Sequence, residues 1–177
     1  MRIYVPATLD ELEGAVVAAG GARWDVPARR AHAVTPALAR ELLDEDDESR
    51  EYEAFLAAAD DSLALVAARR GAPPLRVVVS FDVPDATVAA ATGAEELSAV
   101  DVTALTGVGV VAVHVDEPEA AADVRAVLAA ADEENDAERT GDLGATSEEA
   151  LDAALQRVTD RDLLWYDPTE IPQIPRP

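Results

Sequence analysis

Apolar residues recur along the chain with two spacings, and the switches between them divide it into elements. In "RIYVP", residues 2–6, Ile3 and Val5 alternate with Arg2 and Tyr4, which predicts a short strand ended by Pro6. Thr8 with Glu11 then reads as a capping box, and Leu9, Leu12, Val16 and Ala19 predict a helix stopped by Gly20 and Gly21. A polar loop with Trp24 and Pro27 leads to a strand at 31–34. Thr35 and Pro36 have the chemistry of an N-cap and a first helical position. From about Ser49 to Arg70, Tyr52, Phe55, Leu56, Ala59, Leu63 and Val66 form one helical stripe.

Beyond "GAPP" the period changes to two. "LRVVVSFDV" predicts a strand with Val77, Val79, Phe81 and Val83 on one face and Val78, Ser80 and Asp82 on the other. A weak strand falls at 99–105, and "GVVAVHV", 109–115, is apolar on both faces as a central strand would be. Asp116 with Glu119 predicts a cap for a helix over 117–131, followed by an acidic mobile loop at about 132–146. Thr146 with Glu149 opens a last helix carrying Leu151, Leu155 and Val158. "LLWY" is the final strand, before a Pro-rich tail at 168–177 expected to be extended or polyproline-like. The expected fold is α/β or α+β: one domain over 1–177, with a mixed sheet of about five strands under four to five helices. The strand-helix-strand start predicts a parallel pair.

Trp165 and Tyr166 are adjacent in a chain with only 2 Trp, 3 Tyr and 2 Phe. In a strand they point to opposite faces, so they cannot form one stacking platform, and they are expected to plug a core of small residues, one ring per layer.

Charge narrows the partners. A net charge of -22 repels phosphate backbones, so neither nucleic acid nor an anionic membrane is expected as a partner. All 14 basic residues are Arg, as a high-GC genome would encode. The absence of Cys excludes disulfides, thiolate metal sites and a cysteine nucleophile. The N-terminal stretch has no apolar leader core, and no run is long enough for a membrane span, so a soluble, cytoplasmic protein is expected.

Motifs add little. "GVGVVA" matches part of a dinucleotide fingerprint, but its glycines enter a β-branched run instead of leaving a strand, so a turn is expected there. Asp82 and Asp85 are three apart where phosphoryl-transfer aspartates of the haloacid-dehalogenase type stand two apart. "DEDDES" lacks the glycine of a calcium loop. His114, on the polar face of the central strand, is the candidate general base, with Asp82 as the carboxylate that would orient it if their strands are neighbours. Asp116, Trp165 and Tyr166 are candidate binding residues at the strand ends. His32 has no partner visible in sequence. No cofactor and no metal is expected.

The blocks "MRIYVPATLDEL", "AHAVTPALARE", "EYEAFLAAADDSLALVAA", "RVVVSFDVPDATV", "VHVDEPEAAADVRAVLAAAD" and "DLLWYDPTEIPQI" resemble a family of uncharacterised proteins from high-GC actinobacteria, a domain of unknown function. The similarity runs over nearly the whole chain and is most specific in its terminal blocks. It implies a cytoplasmic bacterial protein of this size standing alone, and it assigns no catalytic residue. The leading expectation is a non-catalytic binding or interaction protein whose partner is unknown and could be a protein. The alternative is a small enzyme or small-molecule-binding domain with a site near His114, and a weaker one is an acidic mimic of nucleic acid that binds a basic protein.

Overall fold

The computed structural model describes residues 1–69, 71–140 and 145–176. Among these, nine strands form one sheet: β1 Arg2–Ala7, β2 Val16–Ala18, β3 Gly21–Val26, β4 Arg29–His32, β5 Val77–Asp82, β6 Val88–Ala90, β7 Ala99–Val102, β8 Leu105–Asp116 and β9 Leu163–Tyr166. Their order is β2-β3-β8-β5-β1-β4-β7-β6, with β9 on β8. Four α-helices accompany them: α1 Pro36–Glu41, α2 Asp47–Ala68, α3 Ala121–Thr140 and α4 Ala145–Thr159.

Every strand pair is antiparallel, so the expected mixed sheet of about five strands with a parallel pair is corrected to nine antiparallel strands. The departure begins at residue 8. Glu11 does reach back, accepting a 2.9 Å bond from the Thr8 N–H, but the helix it starts is one 3-10 turn, Glu11–Gly14. Leu9 and Leu12 are buried there while Val16 is 70% exposed, so no continuous stripe exists to hold a longer helix against the sheet. The β-branched Val16 and Val17 pair instead with Arg23 and Ala22 in a hairpin closed at Gly21, whose φ of 134° suits only glycine. Trp24 therefore lies in β3, buried, and not in a polar loop.

Three further expectations change. Asp116 ends β8 and caps no helix; a 3-10 turn at Pro118–Ala120 precedes α3. Residues 132–140 of the expected acidic loop continue α3, and 145–146 begin α4, while 141–144, like Arg70, fall outside the described residues. The tail forms a 3-10 helix, Pro168–Gln173, capped by Asp167 and Glu170, instead of an extended segment; Ile171 and Ile174 are its buried anchors.

The sheet is covered on both faces. On one, Ile3, Val5, Val77, Val79, Phe81, Val113 and Val115 form a single core with Trp24, whose indole stacks on Phe81 at 6.1 Å, and with Ile171 and Ile174. On the other, Tyr4 and Val78 pack against Ala54, Ala58 and Ala59 of α2. Alanines along this helix face let it lie close to the strands. Ser62 then fixes its height: its hydroxyl donates to the Ala7 carbonyl at 2.8 Å and accepts from the Val77 N–H at 2.7 Å. The far end of α2 meets α3 and α4 through Leu63, Val66, Val124, Val127, Ala154 and Val158.

Candidate functional site

The alanine packing of α2 begins at Ala54, and on either side of that residue stand the larger side chains Tyr52 and Phe55. Tyr52 and Phe55, three positions apart, share one side of the helix and lie nearly parallel, 6.1 Å between centroids at 18°. Phe55 meets the edge of Tyr4 at 6.1 Å and the imidazole of His114 at 4.9 Å. On β8, the alternation that buries Val113 and Val115 in the first core turns His114 and Ala112 toward α2. Antiparallel pairing sets Trp165 of β9 directly opposite His114. A cleft of about 620 Å³ opens between these elements.

Polar groups in the cleft are largely spoken for. The Tyr4 hydroxyl donates to Glu51 Oε2 at 2.9 Å, and burial, then this carboxylate, pushes its ionisation well above the usual phenol range. Arg2 holds Asp82 in two bonds of 3.0 and 3.1 Å across the β1–β5 pair, and that bond keeps the Asp82 carboxyl below its ordinary value. His114 differs. Its buried Nδ1 has no hydrogen-bond partner among the described residues, and burial pushes its pKa below the ordinary imidazole value.

Of the residues singled out in the sequence, the fold brings His114 and Trp165 together in this cleft. β5 and β8 are indeed neighbours, but His114 pairs with Val78, and Asp82 stands four residues farther along β5, roughly 13 Å at strand spacing. Asp82 is engaged by Arg2 and does not orient the imidazole. Asp116 is buried against Arg76, which grips it at 2.8 to 3.2 Å while the Arg76 N–H adds a 2.7 Å bond, so no ligand reaches it. Tyr166 faces the opposite layer and packs on the first core. The expected pair of plugs is thus half right. Tyr166 packs on the first core as expected, but Trp165 is 59% exposed and plugs no layer, while the other tryptophan, Trp24, is buried in the same core as Tyr166. Sequence reasoning missed Arg2, Tyr4, Glu51, Tyr52 and Phe55, although four of the chain's seven aromatic rings meet here.

A second histidine carries the residue types of a hydrolytic triad. His32 Nδ1 lies 2.8 Å from Ser98 Oγ and Nε2 lies 3.1 Å from Asp61 Oδ2. Ser98 and His32 are buried at 4% and 0% exposure, and the small cavity beside Asp61 is not lined by Ser98. A nucleophile without access to substrate is a structural strut, here tying β4 to α2 and to the segment before β7. Gly107 and Gly109 sit inside β8, so they make neither the expected turn nor a phosphate cradle. Among the described residues, no cluster of three or more His, Cys, Asp or Glu could hold a metal, and no helix is long and apolar enough to cross a membrane.

A model of one protein family, described as a family of unknown function (DUF6912), matches residues 1–174. No curated protein and no solved structure matches the chain.

Proposed function

The chain belongs to the DUF6912 family of unknown function, and from the cleft it carries we propose that it is a non-catalytic ligand-binding protein whose small-molecule site lies between α2, β8 and β9. One observation carries this reading: a chain with seven aromatic residues gathers four of them, with His114, around a single cavity of about 620 Å³. That volume is typical of small-molecule sites, and such sites are mostly apolar with a few fixed polar groups. The fixed groups here are the Tyr4–Glu51 and Arg2–Asp82 pairs.

A catalytic reading is supported less well. General-base chemistry needs an imidazole aligned by a partner, and His114 Nδ1 meets none among the described residues, while Asp82 and Asp116 are both committed to arginines. On composition, free of cysteine and with arginine in place of every lysine, we further read the protein as cytoplasmic and encoded by a high-GC genome, and the resemblance of its blocks to an actinobacterial family supports that source.

Native mass spectrometry of the protein purified from its source tests the site. A co-purifying small molecule present in the wild type and absent from Trp165→Ala is the expected result. A ligand-free wild type, or a ligand retained equally by the variant, would remove the proposal.

A further inference from the structure

We propose that the cleft takes a small organic cation of the alkylammonium type. This rests on the reading of the cleft as a ligand site and adds the chemical class of the ligand.

Three features of the lining agree. Tyr52 and Trp165 are 52% and 59% exposed, large aromatic rings left unburied in a chain that has few of them. The face of an aromatic ring is electron-rich and attracts a cation, most strongly when that cation is weakly hydrated, as an alkylated ammonium is. Tyr52 and Phe55 lie nearly parallel on α2, and Trp165 stands across the cleft on β9. Together they offer ring surfaces from two sides.

Charge selects the sign. Glu48, Glu51 and Asp162 line the cleft against one guanidinium, Arg2, and that group is already paired with Asp82. The Tyr4 hydroxyl fixes the Glu51 carboxylate in place, so its charge is held at the site without a mobile side chain having to be ordered on binding. An anion would find no free cationic partner in this lining. The whole molecule, at -22, adds a field that draws cations toward it. Burial keeps His114 neutral near pH 7, so the ring does not oppose a bound positive charge.

The cavity is larger than a bare ammonium group requires. The ligand is therefore a cation carrying an organic body, with its head among the rings and the carboxylates.

Choline, 3,3-dimethylbutan-1-ol and 3,3-dimethylbutanoate share a shape and differ in charge: positive, neutral and negative. Titrated into the full-length protein and followed by NMR, choline is expected to bind about tenfold more tightly than the alcohol, with the carboxylate weaker still. Glu51→Gln keeps an acceptor for Tyr4 but removes the charge. It is expected to cut the advantage of choline over the alcohol about threefold, leaving the affinity for the alcohol unchanged. Trp165→Leu, at an exposed position that should not disturb folding, is expected to weaken choline about tenfold. Equal affinity for choline and the alcohol, or a preference for the carboxylate, would overturn the cation class. Loss of alcohol binding in Trp165→Leu would then show the ligand site still standing. Binding of none of the three probes would also overturn it, and the cleft itself would then stand or fall by the co-purified ligand.

Discussion

Trp165 lies directly across the β8–β9 pair from His114, on the face of the sheet that looks toward α2. The same pairing sends Tyr166 to the other layer, against the first core. One strand therefore supplies a half-buried ring to the core and an exposed ring to the cleft, and the consequences of removing each differ.

The two tryptophans should separate cleanly in fluorescence. Trp24 is buried and stacked on Phe81, whereas Trp165 is open to solvent. Acrylamide quenching of the wild type should show one accessible and one protected population. Trp165→Phe should leave only blue-shifted, quench-resistant emission; a variant whose remaining emission is still readily quenched would contradict the placement of Trp24.

Asp116 belongs to stability. Arg76 and Asp116 are both at or below 3% exposure and satisfy each other, with Arg76 also donating to the Arg161 carbonyl at 2.9 Å. Asp116→Ala strands a buried guanidinium and is expected to destabilise the protein by about 3–5 kcal/mol in denaturant unfolding. A loss under about 1 kcal/mol would mean that the pair is exposed in solution.

Ser62 joins the second face of the sheet to α2. Ser62→Ala leaves the Val77 N–H and the Ala7 carbonyl without their helix partner, both in the interior. The expected cost is about 1–3 kcal/mol. An unchanged unfolding midpoint would show that water or a backbone shift replaces the hydroxyl.

His114 gives stability a signed pH dependence. Its folded pKa lies below the unfolded value near 6.5, so the unfolded chain binds the proton more readily. Its contribution is complete above that value and is lost as pH falls through the unfolded pKa toward the folded one. His114→Gln should therefore flatten the stability profile below about pH 6.5 relative to the wild type. Parallel profiles for the two proteins would contradict the buried imidazole.

Much of the fold is legible in the residues. The period-two runs at β5 and β8, the stripe along α2 and the Thr35–Pro36 helix start all appear where alternation or capping chemistry is local. The N-terminal helix does not form because Thr8, Glu11 and Leu12 carry helical spacing over one turn only, while the burial that decides the matter, exposed Val16 against buried Leu9, is a tertiary property. The parallel pair fell with it. At the site, His114 and Trp165 were visible as unusual residues on predicted strands, but Tyr52 and Phe55 were absorbed into a stripe that appeared wholly core-facing. Only the place where alanine packing gives way to the cleft shows that the stripe changes role along α2. Asp82 and His114 illustrate the converse limit: their strands are neighbours, the condition on which the pair depends, but register, set across β1, β5 and β8 together, gives Asp82 to Arg2.

Ligand binding in the space between α2 and β9 is open to direct observation. Aromatic-ring NMR resonances of Tyr52, Phe55 and Trp165, followed while a small-molecule library is screened, test it most directly. Hits are expected to shift these three rings together and leave Trp24 and Phe81 unmoved, since the latter pair is sealed in the first core. Hits that shift other regions and spare the three rings, or a library with no hit at all, would contradict it.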